Sequence, residues 1–445
     1  MTAPELAAVE AVEDWCRQAG AAGFPYRQVV AGYLQVGKHH VAGELLRALV
    51  RARTLADPAD PLLRQFLDVA LDKVDGVYDY PSYTGLVLLP LPATGAAVLA
   101  ERDRLLCLLM SDLLDFEDGV RRGSVELLPG QRPDERTVAK RVHLGLRILR
   151  APLARLGSGP MPPDAEPVGA VPVGAVPAGA EPAGDAAASE AGPDEVAGDA
   201  DEVAAVRAFL RPWRTEELAL RLRLSMLPVY TVHDEYLFIR CLQMFEVTFG
   251  AVAAKLGSTI TAIGNGDVEL AESQLHAAGG LLEESAPLFS LLATMQVQSF
   301  RTFRDFTEGA SAIQSRGYKT IESLCREPDP DRRDSAAYES VPEVRTAVLA
   351  GRLTIDEAYR QQCLAGRLSA AEQARLRAAA GVLAERVMRW KRTHYSIAVR
   401  MLGHGQTGTG YTEGTPYLAS VRNIPIFRNA AAEPAPELIS RSARD

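Results

Sequence analysis

Between Leu156 and Val206 the chain carries ten acidic residues and no lysine or arginine. Within that stretch Pro167, Pro172, Pro177 and Pro182 recur every five residues among Val, Gly and Ala. Proline and glycine break helices, and so few large apolar side chains cannot offset the entropy lost on ordering. Residues 157–203 are therefore read as a disordered linker with semi-extended Pro-rich portions. It divides the 445-residue chain into an amino-terminal domain, 1–156, and a carboxy-terminal domain, 204–428. A flexible tail follows over 429–445.

Both domains read as helical. Ala42–Leu55, Pro61–Val74, Arg104–Phe116 and Val138–Leu149 repeat apolar residues at three- and four-residue spacings. After the linker the same pattern predicts helices over Val203–Leu227, Asp234–Lys255, Asp267–Leu292, Ile355–Ala365 and Ala370–Leu402. Ser369 with Glu372 three residues on is a capping-box pattern for the last of these. The segment from Val77 to Pro92, rich in Tyr, Pro and Gly, is expected to loop between helices. No alternation of strands with helices is visible, so the fold class is all-α.

The formal charge is −9, and the linker's ten acids account for it. The remainder is near neutral, which argues against nucleic acid or an anionic membrane as partner. No run reaches the roughly 18 consecutive apolar residues of a membrane span. Residues 1–15 are acidic, the wrong charge for a signal or transit peptide. The five cysteines are widely spaced, with no CxxC pair and no CxxCH haem-attachment signal. A cytoplasmic protein with reduced thiols is expected.

Three elements carry chemistry. The helix beginning at Asp234 sets Phe238, Leu242, Phe245 and Phe249 on one face, with Arg240, Gln243 and Glu246 on another. Phe303 and Arg304 precede the run Ala310-Ser311-Ala312-Ile313-Gln314-Ser315. An arginine suits a carboxylate because its guanidinium can pair both oxygens, and small residues let backbone approach a flat ligand. The third element is a helix with Trp390, His394 and Ala398 on one face, followed by a glycine-rich loop from Gly403 to Leu418. A neutral imidazole can ligate iron. Each element alone is equally an ordinary core helix, a capping serine or a surface loop. The loop also lacks the GK[ST] of a phosphate site.

In order and spacing the three resemble the tryptophan 2,3-dioxygenase superfamily. The pattern DExLFIxxxQxxE is matched by Asp234, Glu235, Leu237, Phe238, Ile239, Gln243 and Glu246. FRxxxxxASxxQSxxYxxIE is matched from Phe303 to Glu322, and WxxxHxxxxxRxxG by Trp390, His394, Arg400 and Gly403. GTGxxxGxxYL is matched from Gly408 to Leu418. The resemblance covers residues 205–425. It implies a helical haem-binding bundle preceded by a second helical domain, binding non-covalent haem b and assembling as a homo-oligomer. His394 would be the axial ligand to the iron, and Ser311, Ala312, Trp390 and Arg400 would contact the cofactor. Arg304 would bind the substrate's carboxylate, Thr409 would meet its ammonium or carboxylate, and Phe238 and Leu242 would face its ring.

The implied activity is a haem-dependent oxygenase acting on L-tryptophan or a related aromatic amino acid with dioxygen or peroxide. Dioxygenation and hydroxylation of the ring are both open. The chain departs from the family at Leu242, where a distal histidine usually stands, and at Thr393, where an arginine usually precedes the axial histidine. A divergent branch of specialised metabolism is expected. The alternative is a non-catalytic haem-binding sensor or scaffold, although haem binding alone requires neither Arg304 nor Thr409.

Overall fold

A computed structural model describes residues 1–18, 23–91, 95, 97–158, 193–405 and 414–431. Among them every regular element is a helix, and the one β contact is an isolated bridge between Gly130 and Val232. The all-α expectation holds.

Four helices open the chain: α1 (Ala3–Arg17), α2 (Tyr26–Val36), α3 (Gly43–Leu55) and α4 (Pro61–Ala70). α1 starts with a capping box, in which Thr2 Oγ1 accepts from Glu5 N–H and Glu5 accepts from Thr2 N–H. The inward faces of these helices meet around Val12, Tyr33, Leu45, Leu49 and Phe66 in a small core that Leu224 and Leu227 also enter. Lys38 lies between α2 and α3. It is buried, its Nζ 2.8 Å from Asp72 Oδ2. The neighbouring carboxylate replaces the water that an ammonium needs.

The short α5 (Tyr80–Thr84) sits where a loop is expected, capped by Asp79, whose side chain accepts from Ser82 N–H. α6 (Val98–Arg121) and α7 (Glu135–Ser158) follow. Beyond the Pro-rich stretch come α8 (Pro193–Leu210), α9 (Glu216–Leu224), α10 (His233–Asn265), α11 (Val268–Ser285), α12 (Pro287–Leu292) and α13 (Val297–Arg304). Residues 159–192 of the segment read as a linker lie outside the described residues, and so does 432–445 of the tail. The segment's last eleven residues belong to α8, whose Val203 and Val206 are buried in the core. The helix expected over Asp267–Leu292 breaks at Pro287, which has no N–H to continue the ladder and starts a new first turn.

The hydrophobic cores divide elsewhere than the composition does. Leu106, Leu113 and Leu149, before the Pro-rich stretch, share one core with Leu237, Val247 and Leu383 after it. Buried charge ties the two sides as well. Arg141 on α7 pairs with Glu117 on α6 at 2.9 Å and with Asp234 on α10 at 2.6 Å. Asp234 also accepts from the Gln296 N–H that leads into α13.

The remaining helices are α14 (Arg316–Cys325), three short ones, α15 (Pro330–Arg333), α16 (Ala336–Glu339) and α17 (Pro342–Leu349), then α18 (Ile355–Leu364), α19 (Ala370–Leu402) and α20 (Thr415–Val421). The Ser369–Glu372 capping box that starts α19 forms as its spacing predicts. α10 runs through the middle of the assembly, packing on α6, α11, α14 and α18. It is long and apolar enough to cross a membrane, but 78% of its most apolar window is buried, the place of a core helix.

Candidate active site

The periodicity of α10 becomes a cavity wall. Phe238, Leu242, Phe245 and Phe249 all border a cavity of about 230 Å³. α19 gives Trp390, His394, Ile397 and Ala398 to the same cavity, and α13 with its following turn gives Phe303, Arg304 and Thr307. The side chains at four- and three-residue spacing on each helix point one way, so three distant segments converge on one space.

The indole of Trp390 is the hub of the aromatic lining. It stacks on Tyr318 at 5.1 Å and meets Phe245, Phe249 and Phe289 between 5.3 and 5.8 Å. His394 lies one turn on, 5.2 Å from the indole. Withdrawal from water pushes its pKa down to about 4, so the ring is neutral near pH 7 and keeps a lone pair. Its nitrogens have no hydrogen-bond partner among the described residues, and Trp390 Nε1 is buried without one.

The polar residues of the α10 motif hold the walls together. Gln243 donates to the carbonyls of Thr84, at 2.7 Å, and Ser225, at 3.0 Å. Glu235 accepts from the N–H groups of Val229 and Tyr230, and burial pushes its pKa up to about 8. Glu246 accepts from Ser315 Oγ and from Gly317 N–H; burial raises it to about 7. A β-carbon at Gly317 would lie 2.8 Å from both Glu246 Oε2 and Phe249 Cβ, so glycine permits this approach.

Of the residues expected from sequence, Phe238, Leu242, Arg304, Ser311, Ala312, Trp390 and His394 all line this cavity. Arg304 is half-buried, and loss of water lowers its pKa somewhat below the ordinary guanidinium value. Arg400 does not join them. It is six residues from His394, which on an α-helix turns it away from the lining stripe, and it is exposed. Thr409 lies outside the described residues.

Sequence reasoning missed two groups. Tyr80 and Tyr83 of α5 line the cavity. They are fastened there by Gln314 Oε1, which accepts from Tyr80 N–H at 2.8 Å. The Tyr-x-x-Tyr spacing was the available signal, but without the fold it reads as loop. The second group is the polar end of the cavity, where Lys319, Arg332, Lys391 and Tyr417 meet.

No protein-family model matches the chain. A tryptophan 2,3-dioxygenase of Bradyrhizobium sp. (strain ORS 278) is 27% identical over 240 residues, covering 46% of this chain and 86% of the relative. The tryptophan 2,3-dioxygenase of Bradyrhizobium diazoefficiens is 26% identical over 233 residues and 83% of its length. Over slightly less than half its length the chain is similar to tryptophan 2,3-dioxygenases. A tryptophan 2,3-dioxygenase of Xenopus tropicalis agrees over a shorter stretch, 31% over 104 residues and 26% of its length.

The site fits the haem that similarity to the tryptophan 2,3-dioxygenases implies. His394 offers a neutral, unpartnered imidazole on an aromatic wall, and Trp390 Nε1 beside it is an unsatisfied buried donor. Among the described residues no three His, Cys, Asp or Glu side chains cluster as a metal site. His394 would hold the iron of such a macrocycle as a lone nitrogen donor.

Proposed function

We propose that the chain is a haem-dependent oxygenase of L-tryptophan or a related aromatic amino acid, adding oxygen to the aromatic ring. The observation that carries this reading is that neutral His394 and cationic Arg304 line one aromatic cavity. A half-buried guanidinium suits a free amino acid, whose carboxylate must leave water to enter an apolar pocket.

When bound, haem b supplies the iron that activates dioxygen or peroxide. The chain's own part is ligation, orientation and exclusion of water. His394 holds the iron through its unprotonated nitrogen. Arg304 takes the substrate carboxylate. Phe238, packed against Phe300 and Phe303 at 5.5 and 5.4 Å, presents an aromatic surface to the substrate ring. Leu242 replaces the family's usual distal histidine and can accept no proton from an indole nitrogen. This difference favours altered chemistry or an altered ring.

Mass spectrometry of products after incubating the haem form with aromatic amino acids and oxygen or peroxide tests the proposal. Gain of two oxygens with ring opening means a dioxygenase, and gain of one a hydroxylase. No product and no Soret band with added haem would remove the oxygenase reading.

A further inference from the structure

Among the described residues, the polar end of the cavity gathers more positive than negative charge. Lys319 on α14, Arg332 on α15 and Lys391 on α19 all line the cavity, with side chains 3%, 12% and 5% exposed. One carboxylate stands among them. Glu322 lies 3.4 Å from Lys319 Nζ, 2.6 Å from an Arg332 nitrogen and 3.3 Å from Lys391 Nζ. Among the described residues no second acid is within ion-pair distance of the three cations.

The other partners are neutral. Tyr417 Oη accepts from Lys319 at 3.0 Å and from Arg332 at 3.2 Å, and the Ile424 carbonyl accepts from Lys391 at 3.1 Å. The Lys319 ammonium also sits 5.4 Å from the centre of the Tyr338 ring. These contacts supply hydrogen bonds and quadrupole attraction but no negative charge. Among the described residues two positive charges therefore remain on this part of a largely apolar cavity wall. Like charges gathered out of bulk water are unfavourable unless an anion joins them.

The location identifies the anion. Lys391 precedes His394 by three residues on α19, so α19 offers the imidazole and the ammonium to the same cavity about one turn apart. A ligand that meets both must carry acid groups at its edge and a metal at its centre. Arg304 is a separate cation on α13.

We propose that Lys319, Arg332 and Lys391 form a carboxylate subsite for the propionate edge of the haem that His394 ligates. The inference rests on the reading under Proposed function and adds which residues anchor the cofactor's acid groups. Titrating the apoprotein with haem and with haem dimethyl ester, followed at the Soret band, tests it without turnover. The ester is expected to bind about tenfold or more weakly, the loss of at least one charge-assisted contact. Lys391→Met and Lys319→Met should weaken haem by a similar factor and leave the ester's affinity unchanged.

Equal affinity of wild-type protein for acid and ester would overturn the subsite while leaving the haem reading intact, and that comparison needs no variant to fold. Failure of both porphyrins to bind would overturn the haem reading and the subsite with it. Unchanged haem affinity in Lys391→Met, with weakened binding of tryptophan to the haem form, would assign the cations to substrate and overturn the propionate role.

Discussion

The indole of Trp390 and the imidazole of His394 lie one turn apart on α19, their ring centres 5.2 Å apart, facing the same cavity. The aromatic cluster around the indole keeps water from the imidazole, and the neutral ring that results is the form a metal can use.

His394→Ala is expected to abolish stable haem binding, or to leave a spectrum without a nitrogenous axial ligand. In the wild type, proton competition for the ligand should begin near pH 4, not at the ordinary histidine value of 6.5. The same shift has a sign for the apoprotein. His394 contributes no penalty above pH 6.5, and stability falls as pH drops from there towards 4, because only the unfolded chain binds that proton. Denaturant titrations of both proteins across this range should show a flatter profile for His394→Ala. Full haem content and an unchanged spectrum in the variant would move the ligand elsewhere.

Glu246 titrates in the opposite sense. Its folded pKa is raised from 4.5 to about 7, so the folded protein holds a proton that the unfolded chain releases. Stability from the neutral carboxyl is complete below pH 4.5 and is lost as pH rises towards 7. Relative to Glu246→Gln, the wild type should lose at most about 3 kcal/mol over that interval. Parallel stability profiles for the two proteins would show that Glu246 keeps an ordinary pKa.

Arg304→Ala should leave haem absorption unchanged and cost about 2–5 kcal/mol of substrate binding, the range for breaking a desolvated charged pair. Lysine should rescue only part, since it gives a point charge without the fork. Leu242→His is the contrasting variant, adding a hydrogen-bonding group opposite the ring without touching the carboxylate site. Spectral titration with tryptophan, tyrosine and their decarboxylated amines distinguishes these. Amines that bind as well as the amino acids would remove the carboxylate role.

Lys38→Met tests how the amino-terminal helices support the site. Lys38 Nζ pairs with buried Asp72 and lies 3.3 Å from the Ser82 carbonyl, between Tyr80 and Tyr83 on α5. Truncation leaves a buried carboxylate short of its main partner, which costs about 3–5 kcal/mol. Lys73 Nζ, 3.6 Å from the same carboxylate, should hold the loss to the lower end. Thermal unfolding reads the loss. Lys38→Met combined with Asp72→Leu should recover much of it, because both charges are then gone.

The sequence by itself determined the helices, their faces and the resemblance to tryptophan 2,3-dioxygenases. Periodic apolar spacing is local information, and so is the Ser369–Glu372 cap, which forms where its spacing predicts. The motifs likewise singled out Phe238, Arg304 and His394, which line one cavity, each at a fixed step along its own helix. Only the tertiary structure decided what depends on contact between distant segments. It drew Tyr80 and Tyr83 into the cavity through Gln314, 234 residues away from Tyr80 in sequence. It turned Arg400 outward from the lining, because six residues along a helix is not a whole number of turns. It also gathered Lys319, Arg332 and Lys391 around one carboxylate. Burial and charge balance are properties of all the elements that surround a group, and no window of sequence contains them.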